Sequence, residues 1–259
     1  MGNSGKKAIQ ENLSKIIKNK KIDFTVVNGE NAAEDGKGIT KDIVDELINI
    51  GVDVITSGNH IWDKKETADF ISKEERLLRP ENLAAGSPGS GYGIFLSKSK
   101  QYKVAVINLM GNVFMKKTED LFTAAKNLQN KIKLKENADF IIVDLHGEIT
   151  SEKMAMGHYF DGKATAVVGT HTHVPTADTR ILDNGTAYQT DIGMCGDYNS
   201  VIGMNKENSI MKFLNDAKAQ RHFPAVGQST LSGIIVEADD STGLANKIER
   251  FIYGGVLVN

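Results

Sequence analysis

Short β-branched runs alternate with segments of helical period along most of this chain, and that alternation narrows the accessible folds more than any other feature. Ile22–Asn28, Asp53–Ser57, Tyr102–Leu109, Asp139–Leu145 and Ala164–Gly169 read as strands. Ile9, Leu13, Ile16 and Ile17 recur at helical spacing after Met1–Gly5, which has loop composition. Thr40 suits the N-cap of a helix reaching about Ile50, with Gly51 placed to end it. Asp63 opens a further helix through about Lys73, and Glu119–Lys133 another. Beyond Gly185 the pattern shifts to short strands, Thr186–Thr190 and Leu231–Glu237, and a β-rich tail. The expectation is an α/β layered fold, a mostly parallel sheet flanked by helices. No repeat, low-complexity tract or linker divides the 259 residues, so a single domain over 1–259 is expected.

Charge and cysteine content exclude several functional classes. Lys and Arg total 31 against 33 Asp and Glu, a balance with no mark of a nucleic-acid scaffold or a membrane surface. The lysines of Lys15–Lys21 and Lys131–Lys135 read as solvated helix faces, since aromatics are not interleaved with them. Cys195 stands alone, which rules out an intrachain disulfide framework and a thiolate zinc site. No apolar run approaches the ~20 residues of a bilayer span, and the lysine-rich start lacks the apolar core of a secretory signal. A cytoplasmic location follows as an expectation.

Chemistry concentrates in four short segments, each just after an expected strand: Asn28–Asn31, Gly58–His60, His146–Glu148 and Gly169–His173. Ligands of α/β sheets bind beyond the carboxyl ends of the strands, so these strands would bring Glu30, Asn31, Asn59, His146, His171 and His173 to one rim. Taken singly, Glu30 and Asn31 could be turn residues, His146 a hydrogen-bonded structural histidine, and His171 with His173 a surface pair. Convergence is what separates the two readings. Carboxylate, amide and imidazole donors without thiolate suit Mn, Fe or Zn. Two such ions about 3.5–4 Å apart can clamp both oxygens of a phosphoryl transfer and generate a bridging hydroxide as nucleophile. His60 is the candidate proton donor to the leaving group. Glu148 and Thr150 are pocket-lining candidates, Trp62 a packing residue, Cys195 a small packing residue, and His158 and His222 surface or helix-end residues.

Gly58-Asn59-His60 and Gly169-Thr170-His171-Thr172-His173 resemble the signature of calcineurin-like metallophosphoesterases. Longer strings are similar to the YmdB-like bacterial phosphodiesterases: Asn28–Ala33, Gly58–Asp63, Arg79–Asn82, Thr150–Lys153, Gly169–Val174 and Thr190–Met194. The resemblance runs over essentially the whole chain. It implies a metallophosphoesterase-type layered α/β sandwich that hydrolyses cyclic nucleotide phosphodiesters, 2′,3′-cyclic nucleotides in particular. It also implies two divalent or mixed-valence transition metal ions, iron or manganese, with zinc as the alternative. By matching motif, Glu30 would bridge both ions, Asn31 and His173 would serve the first, and Asn59, His146 and His171 the second. His60 matches the family's proton donor. The partner expected is a small cyclic nucleotide, with no membrane and no stable nucleic-acid complex; a homo-oligomer is compatible with the sequence.

One departure stands out. The family begins with a strand ending in Gly-Asp, whose aspartate ligates the first ion, whereas here Met1 directly precedes Gly2-Asn3-Ser4-Gly5. N-terminal truncation is the expectation drawn from this, with unpaired sheet edges as its structural consequence. Two other readings accompany the phosphodiesterase: a phosphomonoesterase acting on a nucleotide or sugar phosphate with the same metals, and a one-metal nucleotide-binding protein without turnover. The loops Ser87–Gly93 and Gly111–Lys117, which would set substrate choice, carry no readable code.

Overall fold

In the computed structural model, residues 1–257 are described. The elements in order are α1 (Gly2–Lys20), β1 (Val26–Asn28), α2 (Lys41–Asn49), β2 (Val54–Thr56), α3 (Lys65–Phe70), β3 (Tyr92–Leu96), β4 (Lys103–Met110), α4 (Leu121–Lys131), β5 (Phe140–His146), α5 (Thr150–Phe160) and β6 (Ala166–Thr170). Then follow β7 (Arg180–Ile181), β8 (Ala187–Gln189), β9 (Gly196–Asp197), α6 (Lys206–Phe213), β10 (Ser229–Ala238) and β11 (Ala245–Tyr253).

One sheet has the order β3-β4-β5-β6-β8-β7, with β4, β5, β6 and β8 parallel and the two edge strands antiparallel. Its middle strands read as continuous apolar runs because both faces are covered. Ala105, Ile107, Leu109, Ile141, Val143, Leu145 and Val167 pack outward on Leu121, Ala125 and Leu128 of α4 and Met156 and Phe160 of α5. On the inner face, Val106 meets Val54 and Val26, and Ala166 and Ala187 meet Ala245 and Val236. Parallel β1-β2 and antiparallel β9-β10-β11 therefore form an inner layer, covered in turn by α1 and α2 through Ala8, Ile9, Ile43, Val44 and Leu47. The result is a layered α/β sandwich with a β-sheet pair at its centre. β1 and β10 do not pair with each other, among the described residues, and both line a cavity of about 540 Å³ that Ile142, Ala166, Val168 and Ile234 also face.

Thr40 caps α2, its Oγ1 accepting from Ile43 N at 3.4 Å, and Gly51 follows the helix with φ 107°. The start of the chain departs from expectation, since Gly2–Gly5 are helical and not loop. Packing outweighs their poor helix propensity: Gly2, Ser4 and Gly5 are buried, and a Cβ on Gly5 would stand 2.2 Å from the Cys195 carbonyl oxygen. Strand β1 is shorter than the apolar run that announces it, and the expected helix from Asp63 divides into α3 and a 3₁₀ turn over Ile71–Lys73.

Candidate metal centre

The rim at the carboxyl ends of β1, β2, β5 and β6 receives all four polar segments. His146 is the last residue of β5, and β5 holds register with β6 so that His146 lies opposite Thr170. Thr170 Oγ1 stands 3.0 Å from His146 Nδ1 and donates its own proton to Asp144 Oδ1 at 2.8 Å. Thr170 therefore accepts from Nδ1–H, and the Nε2 lone pair of His146 points away from this network. A Cβ on residue 58 would fall 2.3 Å from the His146 ring, so Gly58 is what leaves room for it.

Three groups close on that Nε2. Glu30 Oε2 lies 2.9 Å away, Asn59 Oδ1 3.0 Å and His171 Nδ1 3.0 Å. Glu30 and His146 are buried and His171 half-buried. Glu30, His146 and His171 offer ligand atoms all within 4.8 Å of one another, the only such group of three His, Cys, Asp or Glu among the described residues. Beside it, His173 Nε2 lies 3.2 Å from Asn31 Oδ1. The other ring nitrogen of His173 donates to Ile202 O at 2.7 Å, and Asn31 is turned by its Nδ2 donating to Gly36 O at 2.8 Å. All six sequence-derived candidates thus meet at one rim, four in a cluster and two in an adjoining pair.

Electrostatics follow from this crowding. Burial works to raise the Glu30 carboxyl, but the facing His146 and the His60 N–H outweigh it and hold Glu30 at about 2. Burial alone would lower His146, and Glu30 overrides it to raise it. His171 is lowered to about 4, first by burial and then by His146, and burial also lowers His173. Both imidazoles therefore present neutral nitrogens near neutral pH. The cluster brings a carboxylate oxygen, an amide oxygen and a second imidazole nitrogen to within 3.0 Å of His146 Nε2. A cation fits that donor set, and carboxylate with imidazole is the combination transition ions take.

His60 sits at the edge of the cluster. Its backbone N–H donates to Glu30 Oε1 at 2.8 Å, and its Nδ1 lies 2.7 Å from Asp63 Oδ2. Asp63 fixes the ring by one nitrogen. Lys116, from the loop after β4, donates to Asn59 O at 2.5 Å and lies 3.6 Å from Asp63.

Several residues outside the candidate list support the site. Asp144 is buried under it and accepts from Thr56 Oγ1 at 2.5 Å, Asn28 Nδ2 at 3.0 Å and Thr170 Oγ1. Burial raises its carboxyl despite those bonds. A charged residue on the inward phase of an apolar strand was the available signal. Glu148 Oε2 lies 3.1 Å from His171 Nε2, orienting that ring from outside, while Thr150 opens α5. Cys195 and Trp62 pack against the core beneath α1 and α2, and His158 and His222 are exposed.

A model of the family described as YmdB-like protein matches residues 1–251. The 2′,3′-cyclic-nucleotide 2′-phosphodiesterase of Bacillus subtilis (strain 168) is 46% identical over 252 residues, 97% of this chain and 93% of that protein. A crystal structure of a novel phosphatase from Mycoplasma pneumoniae superposes with a TM-score of 0.88 at 36% identity, over 98% of this chain and 90% of that one. A crystal structure of a hypothetical protein from Thermus thermophilus gives 0.87 at 36% identity, over 99% of this chain and 96% of that one. No helix among the described residues is long and apolar enough to cross a membrane.

Proposed function

The chain belongs to the YmdB-like protein family, and from that premise we propose that it is a metal-dependent phosphoesterase that opens the phosphodiester of 2′,3′-cyclic nucleotides. The observation that carries this is the approach of Glu30 Oε2, Asn59 Oδ1 and His171 Nδ1 to within 3.0 Å of His146 Nε2. Those four residues would hold one ion, and Asn31 and His173 together with Glu30 would hold a second. Transition ions bound there would polarise the phosphoryl oxygens and acidify a water.

The chain's own residues do the rest. Thr170 keeps the proton of His146 on Nδ1, so that Nε2 is an acceptor, and Ile202 O does the same for His173. His60 protonates the departing ribose oxygen from Nε2, its Nδ1 anchored by the Asp63 carboxylate. Lys116, donating to Asn59 O, places a positive charge beside Asn59 and Asp63.

The relative from Bacillus subtilis carries the 2′,3′-cyclic nucleotide activity in its description, and the Mycoplasma pneumoniae structure is described as a phosphatase. The substrate is decided by comparing manganese-loaded protein on 2′,3′-cyclic AMP and on 3′-AMP. Cleavage of the cyclic diester with little release of inorganic phosphate from the monoester is expected. Turnover of the monoester alone would make the chain a phosphomonoesterase.

A further inference from the structure

Outside the ligand cluster lies a second buried pair of charges, Lys153 on α5 and Asp191 in the turn after β8. Each is 1% exposed, and Lys153 Nζ donates to Asp191 Oδ2 at 2.8 Å. Burying two charges is costly even when they are paired, and apolar side chains of like volume often serve stability as well. The pair therefore calls for a role besides holding the core together.

That role is visible in what else Asp191 binds. Oδ2 also accepts from Thr172 N at 3.0 Å and Thr172 Oγ1 at 2.8 Å, and Oδ1 accepts from Gly193 N at 2.9 Å. Thr172 lies between His171 and His173, whose φ angles are 104° and 69°. Positive φ is uncommon for non-glycine residues, so the bonds that hold this turn bear on its shape. Flanking backbone bonds, Ile192 N to Gly169 O at 3.0 Å and Met194 N to His173 O at 3.2 Å, run alongside the carboxylate and clip the two segments together. Its two oxygens take four donors at once. An amide could not, because its NH₂ would face either the Lys153 and Thr172 donors or the Gly193 N–H.

We propose that the buried Lys153–Asp191 pair positions the His171–Thr172–His173 turn, holding His171 Nδ1 toward His146 and His173 Nε2 toward Asn31. Asp191 grips the turn by Thr172, and Lys153 fixes the carboxylate from behind. Neither residue touches the ligand atoms themselves. The inference rests on the reading of those imidazoles as metal ligands.

Metal-free protein titrated with Mn²⁺ by calorimetry, with the electron paramagnetic resonance of the bound ion and urea unfolding in parallel, tests this. Four proteins are compared: wild type, Asp191→Asn, Thr172→Val, and Leu128→Ala, a core truncation on α4. Asp191→Asn is expected to bind Mn²⁺ about 10–100-fold more weakly with an altered spectrum, as loss of an outer-shell partner commonly does. Thr172→Val should show a smaller loss of the same kind, and it decides the matter alone if Asp191→Asn does not fold. Leu128→Ala should lose stability and bind Mn²⁺ as wild type does. Wild-type affinity and spectrum in both turn variants would overturn the positioning role, as would a loss of affinity in Leu128→Ala that follows its loss of stability. Wild-type protein that binds no Mn²⁺ would instead overturn the ligand reading, and the inference with it.

Discussion

His146 Nε2 and Glu30 Oε2 stand 2.9 Å apart inside the protein, each almost wholly removed from water. A buried carboxylate facing an imidazole lone pair is stable when a positive charge lies between them, supplied by a proton or by a cation. Glu30→Gln removes the negative charge and keeps the shape. Metal content of that variant, measured by mass spectrometry after dialysis, is expected to fall below half of the wild-type value. Unchanged content would show that Glu30 is not shared between two ions.

His171→Ala separates the two halves of the site. Its Nδ1 faces the cluster, whereas His173 and Asn31 form the adjoining pair. The variant should lose the ion proposed for Asn59 and His146 and bind at most one ion per chain. Full occupancy in isothermal titration would refute the assignment of His171.

His60 is anchored by Asp63 and lies at the edge of the cluster, so its role separates from metal binding. His60→Ala should keep the wild-type metal content and lose roughly 10²–10⁴-fold in kcat, the usual range for general acid catalysis. Asp63→Asn should give a smaller loss in the same parameter. Steady-state kinetics on 2′,3′-cyclic AMP reads both, and an unaltered kcat in His60→Ala would remove it from the reaction.

Asp144 accepts from Thr56, Asn28 and Thr170 within the core. Asp144→Ala would leave the Thr56 and Thr170 hydroxyl donors buried without their acceptor, at roughly 1–3 kcal/mol each, while Asn28 Nδ2 keeps Ser57 O at 3.4 Å. Urea unfolding of the metal-free variant should show a loss of a few kcal/mol, and a loss below about 1 kcal/mol would mean that water replaces the carboxylate there.

The pH dependence of the metal-free protein has a definite sign. His171 titrates at about 4 and His173 is also lowered, so between the ordinary imidazole value of 6.5 and about 4 the unfolded chain binds more protons than the native one. Stability is therefore lost as pH falls through that window. Glu30, held at about 2, contributes stability above the ordinary value of 4.5 and loses it as pH falls toward 2. His146, which is raised, acts oppositely: its contribution is complete below 6.5 and fades as pH rises through its native value. Urea midpoints should therefore drop between pH 6.5 and 4, and less steeply in His171→Gln.

The rim was legible because each of its segments follows an apolar run whose period marks a strand. Gly58-Asn59-His60 and His171-Thr172-His173 also stand out as polar strings at strand ends. The supporting residues were harder to read. Asp144 was marked only by being charged on an otherwise apolar strand, and α5 buries Lys153 with Met156, Gly157 and Phe160, a stripe too mixed to mark a helix. Strand β3, Tyr92–Leu96, escaped because Gly93 interrupts it and its side chains stay partly exposed at the sheet edge. Helix α6 escaped for a related reason: it buries only Asn208 and Ser209, so no apolar stripe announces it. The helical turn at Gly2–Gly5 depends on close approach to Cys195, a contact separated by nearly the whole chain.

Metal dependence of the chemistry is the claim on which the rest depends, and reloading tests it most directly. Protein stripped with a chelator and dialysed is assayed on 2′,3′-cyclic AMP before and after addition of Mn²⁺. Loss of hydrolysis on stripping and its return with manganese is the expected result. Full hydrolysis by the stripped protein would contradict it.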